Sequence, residues 1–316
     1  AALDACVPRY LRAMNAAGVA LALATRERDA DARTYGLASL DRGAPVDPGH
    51  LFQIGSITKS FVGLLLLQLQ DEGRLDVQRP VTAYLPWLAI EQPFGPVTIH
   101  HLLTHTSGFQ TESPIWPSGG ARLRPAYAPG LRFHYSNWAY DVLGHVIEAA
   151  AGEPWPRAVE RRLLRPLGMR DSTGAILPTI ATRAATGHVP RGDGPYPRQG
   201  ALTAAGPLNV TFAAGSMAAT PGDMARYVAM LLNHGALPGG TRVVSERAFE
   251  LFASPHADAP DFGPGAKYGY GIVVDTLDGA RLLRHTGGMV SFMSSLQVDL
   301  DGGHGAFASI NAQQGY

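Results

Sequence analysis

A single cysteine, Cys6, stands in 316 residues, which excludes an internal disulfide. Nothing around Cys6 marks a catalytic thiol, and packing on an N-terminal helix is its expected role. Formal charge is zero, with 26 basic and 26 acidic side chains, and basic residues nowhere cluster with aromatic ones. That balance excludes nucleic acid as a partner. No apolar run is long enough to span a bilayer, and no basic stretch followed by an apolar one opens the chain as a signal peptide would. It starts at Ala1 without Met and stops at Gln313-Gln314-Gly315-Tyr316, directly after a strand-like run, as a trimmed chain or a fragment would. Internal repeats and low-complexity tracts are also absent. A Gly-x-Ser-x-Gly elbow occurs nowhere, which removes the α/β-hydrolase reading.

The scarcest charged residue is lysine: Lys59 and Lys267 stand against 24 arginines. Arginine holds a fixed positive charge as well or better but cannot release its proton, so a lysine retained here points to chemistry. Lys59 closes the segment Ser56-Ile57-Thr58-Lys59, and residues three apart lie on one helix face. The run from Phe61 to Leu69 is apolar nearly all round, as in a helix buried on every side. Ser56 is therefore expected in the first turn of a core helix, where free backbone N–H groups and the helix dipole favour an anion. The plain alternative is a serine near a helix start with a solvated lysine one turn on.

With 46% apolar residues the chain can bury a full core as one large domain or two intimate ones. Leu3, Val7, Tyr10, Leu11 and Met14 predict an amphipathic helix, followed by strands over Val19 to Thr25 and Arg33 to Leu40. From Ser56 to about Ser254 the periodic stretches are mostly helical. Asn137 is expected to cap a helix through Ala151 with Gly152 as its stop, and Thr220-Pro221-Gly222-Asp223 to open another with a capping box. Strands return over Tyr268 to Asp275, Arg281 to Thr286, Phe292 to Asp299 and His304 to Asn311. The turns Asp278-Gly279 and Asp301-Gly302-Gly303 make the first pair and the last pair antiparallel neighbours. The expected fold is α/β of the α+β kind: an antiparallel sheet built from N- and C-terminal strands and flanked by helices, with a large, mainly helical inserted region. Residues 1–72 and 255–316 form the sheet region with the nucleophile helix, and residues 73–254 the insert. Long Gly/Pro-rich stretches, Glu112 to Gly130 and Pro190 to Pro207, carry Trp116, Tyr127 and Tyr196 and are candidate walls of a binding site.

A serine nucleophile needs a base and donors for the oxyanion. Tyr135-Ser136-Asn137 stands in a turn before a helix, where Tyr135 could relay a proton beside a lysine ammonium and Asn137 could donate to a substrate carbonyl. In isolation the same three residues are ordinary turn and N-cap chemistry. His285-Thr286-Gly287-Gly288 closes a strand with glycines that admit close approach to backbone N–H groups. His101 and His105, with His100 adjacent, have a zinc-compatible spacing, but Leu102 stands where the metalloprotease pattern requires Glu, and helix packing and capping explain them better.

These clusters, in this order, resemble the serine β-lactamase and penicillin-binding superfamily, in particular its branch of class C β-lactamases, DD-carboxypeptidases, D-aminopeptidases and related esterases. Ser56-Ile57-Thr58-Lys59 matches its S-x-x-K motif, Tyr135-Ser136-Asn137 its Y-x-N motif and His285-Thr286-Gly287 its K/H-T-G motif. The segments Thr98 to Gly108 and Arg165-Pro166-Leu167-Gly168-Met169 resemble further recurring stretches, so the likeness covers almost the whole chain. The resemblance implies that Ser56 attacks a carbonyl while Lys59 and Tyr135 handle its proton, with the base left open between them. It implies that Asn137, His285, Thr286 and Gly287 bind the substrate and that the N–H groups of Ser56 and Gly288 hold the oxyanion. No cofactor or metal is implied. The implied partner is a small peptide, ester or β-lactam substrate, and the implied location is extracytoplasmic, periplasmic or secreted. His285 replaces the lysine of most β-lactamases with a cation expected to titrate near neutral pH, and a histidine there resembles the DD-peptidase and D-aminopeptidase members, which points to peptidase or esterase action. A non-hydrolytic penicillin-binding sensor and a class C-like β-lactamase are the alternatives. The helix with which the family closes its sheet is not found before Tyr316.

Overall fold

The computed structural model describes residues 2–28, 31–111, 123–191 and 201–313. Helix α1 (Ala2–Ala13) is followed by strands β1 (Gly18–Thr25), β2 (Asp31–Ser39), β3 (Ala44–Pro45) and β4 (Phe52–Gln53). A tight 3-10 turn, Gly55–Ile57, leads into α2 (Thr58–Asp71). The middle of the chain carries α3 (Ile99–Leu103), α4 (Asn137–Ala151), α5 (Trp155–Val159), β5 (His188–Pro190), β6 (Leu202–Ala204), β7 (Ala218–Ala219), α6 (Pro221–Leu232) and α7 (Glu246–Ala253). Strands β8 (Ala257–Asp258), β9 (Lys267–Tyr268), β10 (Val273–Leu277), β11 (Ala280–Met289), β12 (Phe292–Asp299) and β13 (His304–Ile310) complete it.

Nine strands form one sheet in the order β3-β2-β1-β13-β12-β11-β10-β9-β8, with antiparallel pairing throughout. The termini meet in its centre, β1 pairing with β13 from Val19 opposite Ile310 to Thr25 opposite His304. Asp278 and Gly279 both take positive φ, 50° and 87°, which is the mirror-image turn whose twist suits a two-residue hairpin. Small buried residues on the inner face, Ala20, Ala22 and Ala24, let α6 lie close against the sheet; at Gly305 a Cβ would come within 2.7 Å of Val228 on that helix. On the other face Val7 and Leu11 of α1 pack against Val19 and Ile310. Cys6, one residue and about 100° round the helix from Val7, is exposed, so its expected packing role is not what the structure shows. Asn311, fully buried, ties three segments together: its side chain accepts from Gly18 N at 2.7 Å and donates to the carbonyls of Leu37 and Thr186, each at 3.0 Å.

Helix α2 runs through the core with Thr58 to Leu67 buried on every side, as its all-round apolar run requires. It presses directly on the bend 269–272. A Cβ on Gly63 would collide with the Tyr270 carbonyl, and one on Gly271, at φ +89°, with the Lys59 carbonyl. That close approach breaks the strand expected over Tyr268 to Asp275 into β9 and β10. Helix α4 is capped by Ser136, whose hydroxyl accepts from Ala139 N at 3.1 Å, and not by Asn137, which is its first residue; Gly152 ends it at φ 73°. At α6, Thr220 accepts from Asp223 N as expected, but the Asp223 carboxylate turns away to the Asp171 and Ser172 backbone N–H groups and the Ser172 hydroxyl. Trp116 and Tyr196 lie outside the described residues, whereas Tyr127 is described, with the Arg132 guanidinium 4.3 Å from its ring centroid. Among the described residues no helix follows β13, and none is long and apolar enough to cross a membrane.

Candidate active site

Ser56 lies in the 3-10 turn before α2, two residues ahead of the α-helix that was expected to hold it, and Lys59 lies in the first turn of α2. Side chains three apart nearly eclipse in a 3-10 turn, so the pair is brought closer than in a regular helix. Lys59 Nζ is 3.0 Å from Ser56 Oγ, 2.7 Å from Asn137 Oδ1 and 2.7 Å from the Ala214 carbonyl. Those bonds join three regions remote in sequence around one fully buried amine. The ammonium also lies 4.9 Å from the Tyr135 ring centroid and 5.3 Å from that of Tyr140. Asn137 receives Lys59 on its oxygen, which makes its Nδ2 the end suited to a substrate carbonyl.

The third cluster arrives on β11. Its ladder with β10 ends at Arg284 opposite Val273, while that with β12 continues to Met289 opposite Phe292. From His285 to Met289 the strand therefore has a ladder partner on one side only. Gly287 and Gly288 bring this edge against the nucleophile turn: the Cβ position of Gly287 is 3.2 Å from Ser56 N, and that of Gly55 is 2.8 Å from Gly288 N. Gly55 itself sits at φ +52°, where glycine is the unstrained residue. The two expected oxyanion donors thus lie side by side, and side chains at 55 or 287 would force them apart.

His285 departs from its expected role as a cation. Its side chain is 2% exposed, and both ring nitrogens are bonded within the protein, Nε2 to the Tyr268 hydroxyl at 2.9 Å and Nδ1 to the Thr286 carbonyl at 2.6 Å. Burial, followed by the nearby Lys59 charge, pushes its pKa down to about 3, so it is neutral across the physiological range. The residue type is visible in the sequence but its burial is not, and burial decides the charge. His105 is also buried, and burial followed by the Lys59 charge drives its pKa well below the usual value.

The histidines weighed as zinc ligands are engaged separately. His101 closes a capping box with Thr98, accepting from Thr98 N at 3.1 Å, and His100 meets the Tyr270 hydroxyl at 2.8 Å. Helix α3 ends at Leu103, and His105 follows at φ 56°, so His101 and His105 do not share a helix face.

Three contributors carried no signal that singled them out in the sequence. The Ala214 carbonyl holds Lys59, and Ala214 N in turn donates to Asp141 Oδ1 at 3.1 Å; a backbone acceptor leaves no mark in sequence. Tyr268 and His105 form the wall behind Tyr135, the His105 ring 4.3 Å from the Tyr135 ring by centroids. The Thr98 to Gly108 segment marks His105 only as one of its members.

An antiparallel sheet closed by both termini, a buried core helix carrying Ser-x-x-Lys and a glycine edge laid against its start define the class of serine β-lactamases and penicillin-binding proteins. The chain belongs to the β-lactamase family, whose model matches residues 3–315. Esterase EstB of Burkholderia gladioli is 35% identical over 198 residues, 54% of this chain and 50% of its own length. The D-alanyl-D-alanine-carboxypeptidase/endopeptidase AmpH of Escherichia coli (strain K12) is 29% identical over 225 residues, 64% of this chain and 54% of its own. The chain thus spans about half the length of these curated relatives. The octameric penicillin-binding protein homologue from Pyrococcus abyssi superposes with a TM-score of 0.84 at 25% identity, covering 99% of this chain and 73% of that one.

Proposed function

We propose that the chain is a serine hydrolase that opens an ester, amide or β-lactam carbonyl through an acyl-enzyme on Ser56, acting as an esterase or D-amino-acid peptidase. The observation that carries this reading is the set of partners around Lys59 Nζ. Asn137 Oδ1 and the Ala214 carbonyl can only accept, so they hold two of its N–H bonds in any protonation state. In the neutral amine the remaining position, aimed at Ser56 Oγ, is a lone pair, and Lys59 can take the serine proton as Oγ attacks. The carbonyl oxygen gains the negative charge beside the N–H groups of Ser56 and Gly288, and the proton passes to the leaving group by way of Lys59 or Tyr135. Donors so placed are worth about 3–4 kcal/mol each in other enzymes. Water attack on the ester at Ser56 then releases the acid and restores the hydroxyl.

The names of the relatives, an esterase and a DD-carboxypeptidase, support the same substrate range. The family resemblance also supports an extracytoplasmic location, which fractionation of the full gene product with the cytoplasm would contradict. Parallel assays with p-nitrophenyl esters, a D-alanyl-D-alanine peptide and nitrocefin test the function. Turnover of an ester or the peptide is the expected result, rapid nitrocefin turnover alone would mean a β-lactamase, and a lasting penicillin adduct with no turnover would mean a sensor.

A further inference from the structure

Behind the nucleophile, three buried side chains form a hydrogen-bond chain whose direction is fixed by one backbone group. Ser136 N donates to His105 Nδ1 at 3.0 Å, and a backbone N–H can only donate. The neutral His105 ring therefore carries its proton on Nε2, which faces the Tyr268 hydroxyl at 3.3 Å. With its oxygen accepting there, Tyr268 gives its own hydrogen to His285 Nε2 at 2.9 Å. The His285 proton is thereby placed on Nδ1, pointing at the Thr286 carbonyl 2.6 Å away. A second proton on His285 would set Nε2–H against the Tyr268 O–H, which would have to leave the 2.9 Å bond to His285 and turn toward His105 Nε2–H or the Tyr140 hydroxyl.

We propose that His105, acting through Tyr268, is a positioning residue that fixes the tautomer of the uncharged His285 beside the reactive serine, so that β11 offers hydrogen bonds but no cation there and the site favours esters, whose leaving group bears no carboxylate, over a D-alanyl-D-alanine peptide, whose leaving D-alanine bears one. The inference rests on the reading of Ser56 as the nucleophile and names the substrate class within it.

The surroundings of His285 agree. It faces Lys59 from α2, Tyr268 from β9 and the rings of Tyr135 and Phe262, with centroids 6.3 and 5.8 Å away. Arg284, its neighbour on β11, is paired with Asp275 at 2.7 Å and bonded to the Phe262 carbonyl. The positive charge of Lys59 opposes a second cation at 285, and Lys59 is itself bonded to Ser56, Asn137 and Ala214. Lys267, the other lysine of the chain, is paired with Asp258. His105 also bears on Tyr135 by its ring, so the residue that sets the His285 tautomer supports the tyrosine of the site as well.

The test has a spectroscopic arm and a kinetic arm. Long-range 1H–15N correlation of the imidazoles, with His285→Gln for assignment, is expected to show His285 protonated on Nδ1 alone at both pH 7 and pH 5. An Nε2–H tautomer, or an imidazolium at pH 5, would overturn the proposal. In the kinetic arm, phenyl acetate and 3-acetoxybenzoate differ by one leaving-group carboxylate. The expected kcat/KM is higher for phenyl acetate by about tenfold or more, the penalty of an unpaired charge in a half-buried site. Tyr268→Phe cuts the chain without removing the ring; it is expected to let the Nε2–H tautomer of His285 appear in the spectrum and to narrow the ratio of the two esters. Equal loss on both esters with an unchanged ratio would mean a structural role only and would overturn the assignment. If neither ester is turned over by the wild type, the hydrolase reading fails and the imidazole spectrum alone decides the fate of the positioning chain.

Discussion

Replacing Gly287 with alanine isolates the contact on which the geometry of the site depends. Gly287 is not among the glycines at positive φ, so alanine meets no conformational barrier there. The barrier is steric: the added methyl would overlap the Ile54 carbonyl oxygen and lie 3.2 Å from Ser56 N. The methyl would lie 2.0 Å from that oxygen, so to restore an ordinary contact of about 3.5 Å, β11 or the Gly55–Ile57 turn has to move by roughly 1.5 Å. Overpacking of this kind costs about 1–3 kcal/mol of stability. The same displacement separates the two N–H groups proposed to hold the oxyanion, and a 1 Å misplacement lowers rate by about a hundredfold. The assay is kcat/KM on whichever ester the wild type hydrolyses, run beside urea denaturation of the same sample. Gly222→Ala is the control, because Gly222 lies in α6 with open space where its Cβ would be; a gain of about 0.5–1 kcal/mol and unchanged activity are expected. Activity of Gly287→Ala within about threefold of wild type would refute the argument that this approach positions the donors.

Lys59→Met keeps most of the buried volume and removes the amine; kcat is expected to fall by about 10²–10⁴-fold with the circular dichroism spectrum unchanged, and retained activity would remove Lys59 from proton transfer. Asn311→Ala leaves Gly18 N and the carbonyls of Leu37 and Thr186 buried without their partner, with an expected loss of about 3 kcal/mol by chemical denaturation and little effect on KM. The buried histidines set an acid limb of stability. His285, lowered to about 3, and His105, lowered well below its usual value, bind protons more readily unfolded than folded. Their contribution is therefore complete above about pH 6.5 and declines as pH falls below it, at roughly 1 kcal/mol per pH unit for each residue. Denaturation at pH 7, 6 and 5 should follow that slope, and a flat profile would contradict the neutral, buried state of both rings.

What could be read from the sequence was what local spacing or turn chemistry encodes. Ser56 and Lys59 are three residues apart, so any helical turn brings them together, and Asp278-Gly279 fixes the β10–β11 hairpin. The central strands β1, β2 and β11 to β13, drawn from both ends of the chain, were legible from their alternation, whereas the two-residue edge strands β3 and β8 were not. The contribution of Ala214 was not, because a carbonyl 155 residues from Lys59 has no side-chain signature. The strand over Tyr268 to Asp275 was misread because its interruption comes from the pressure of α2 on Gly271, a tertiary contact invisible in the alternation. His285 was expected to be a cation because its type and motif were visible, whereas the burial and the Lys59 charge that discharge it depend on the assembled site.

The central claim is that Ser56 is the acylated nucleophile, and intact-mass spectrometry tests it most directly. Wild-type protein is incubated with a fluorescent penicillin and, separately, a fluorophosphonate, and any adduct is mapped by peptide sequencing, with Ser56→Ala run alongside. A single adduct on Ser56 with either reagent, absent from a folded Ser56→Ala, is the expected result. Labelling that persists in Ser56→Ala, or maps to another residue, would contradict the account.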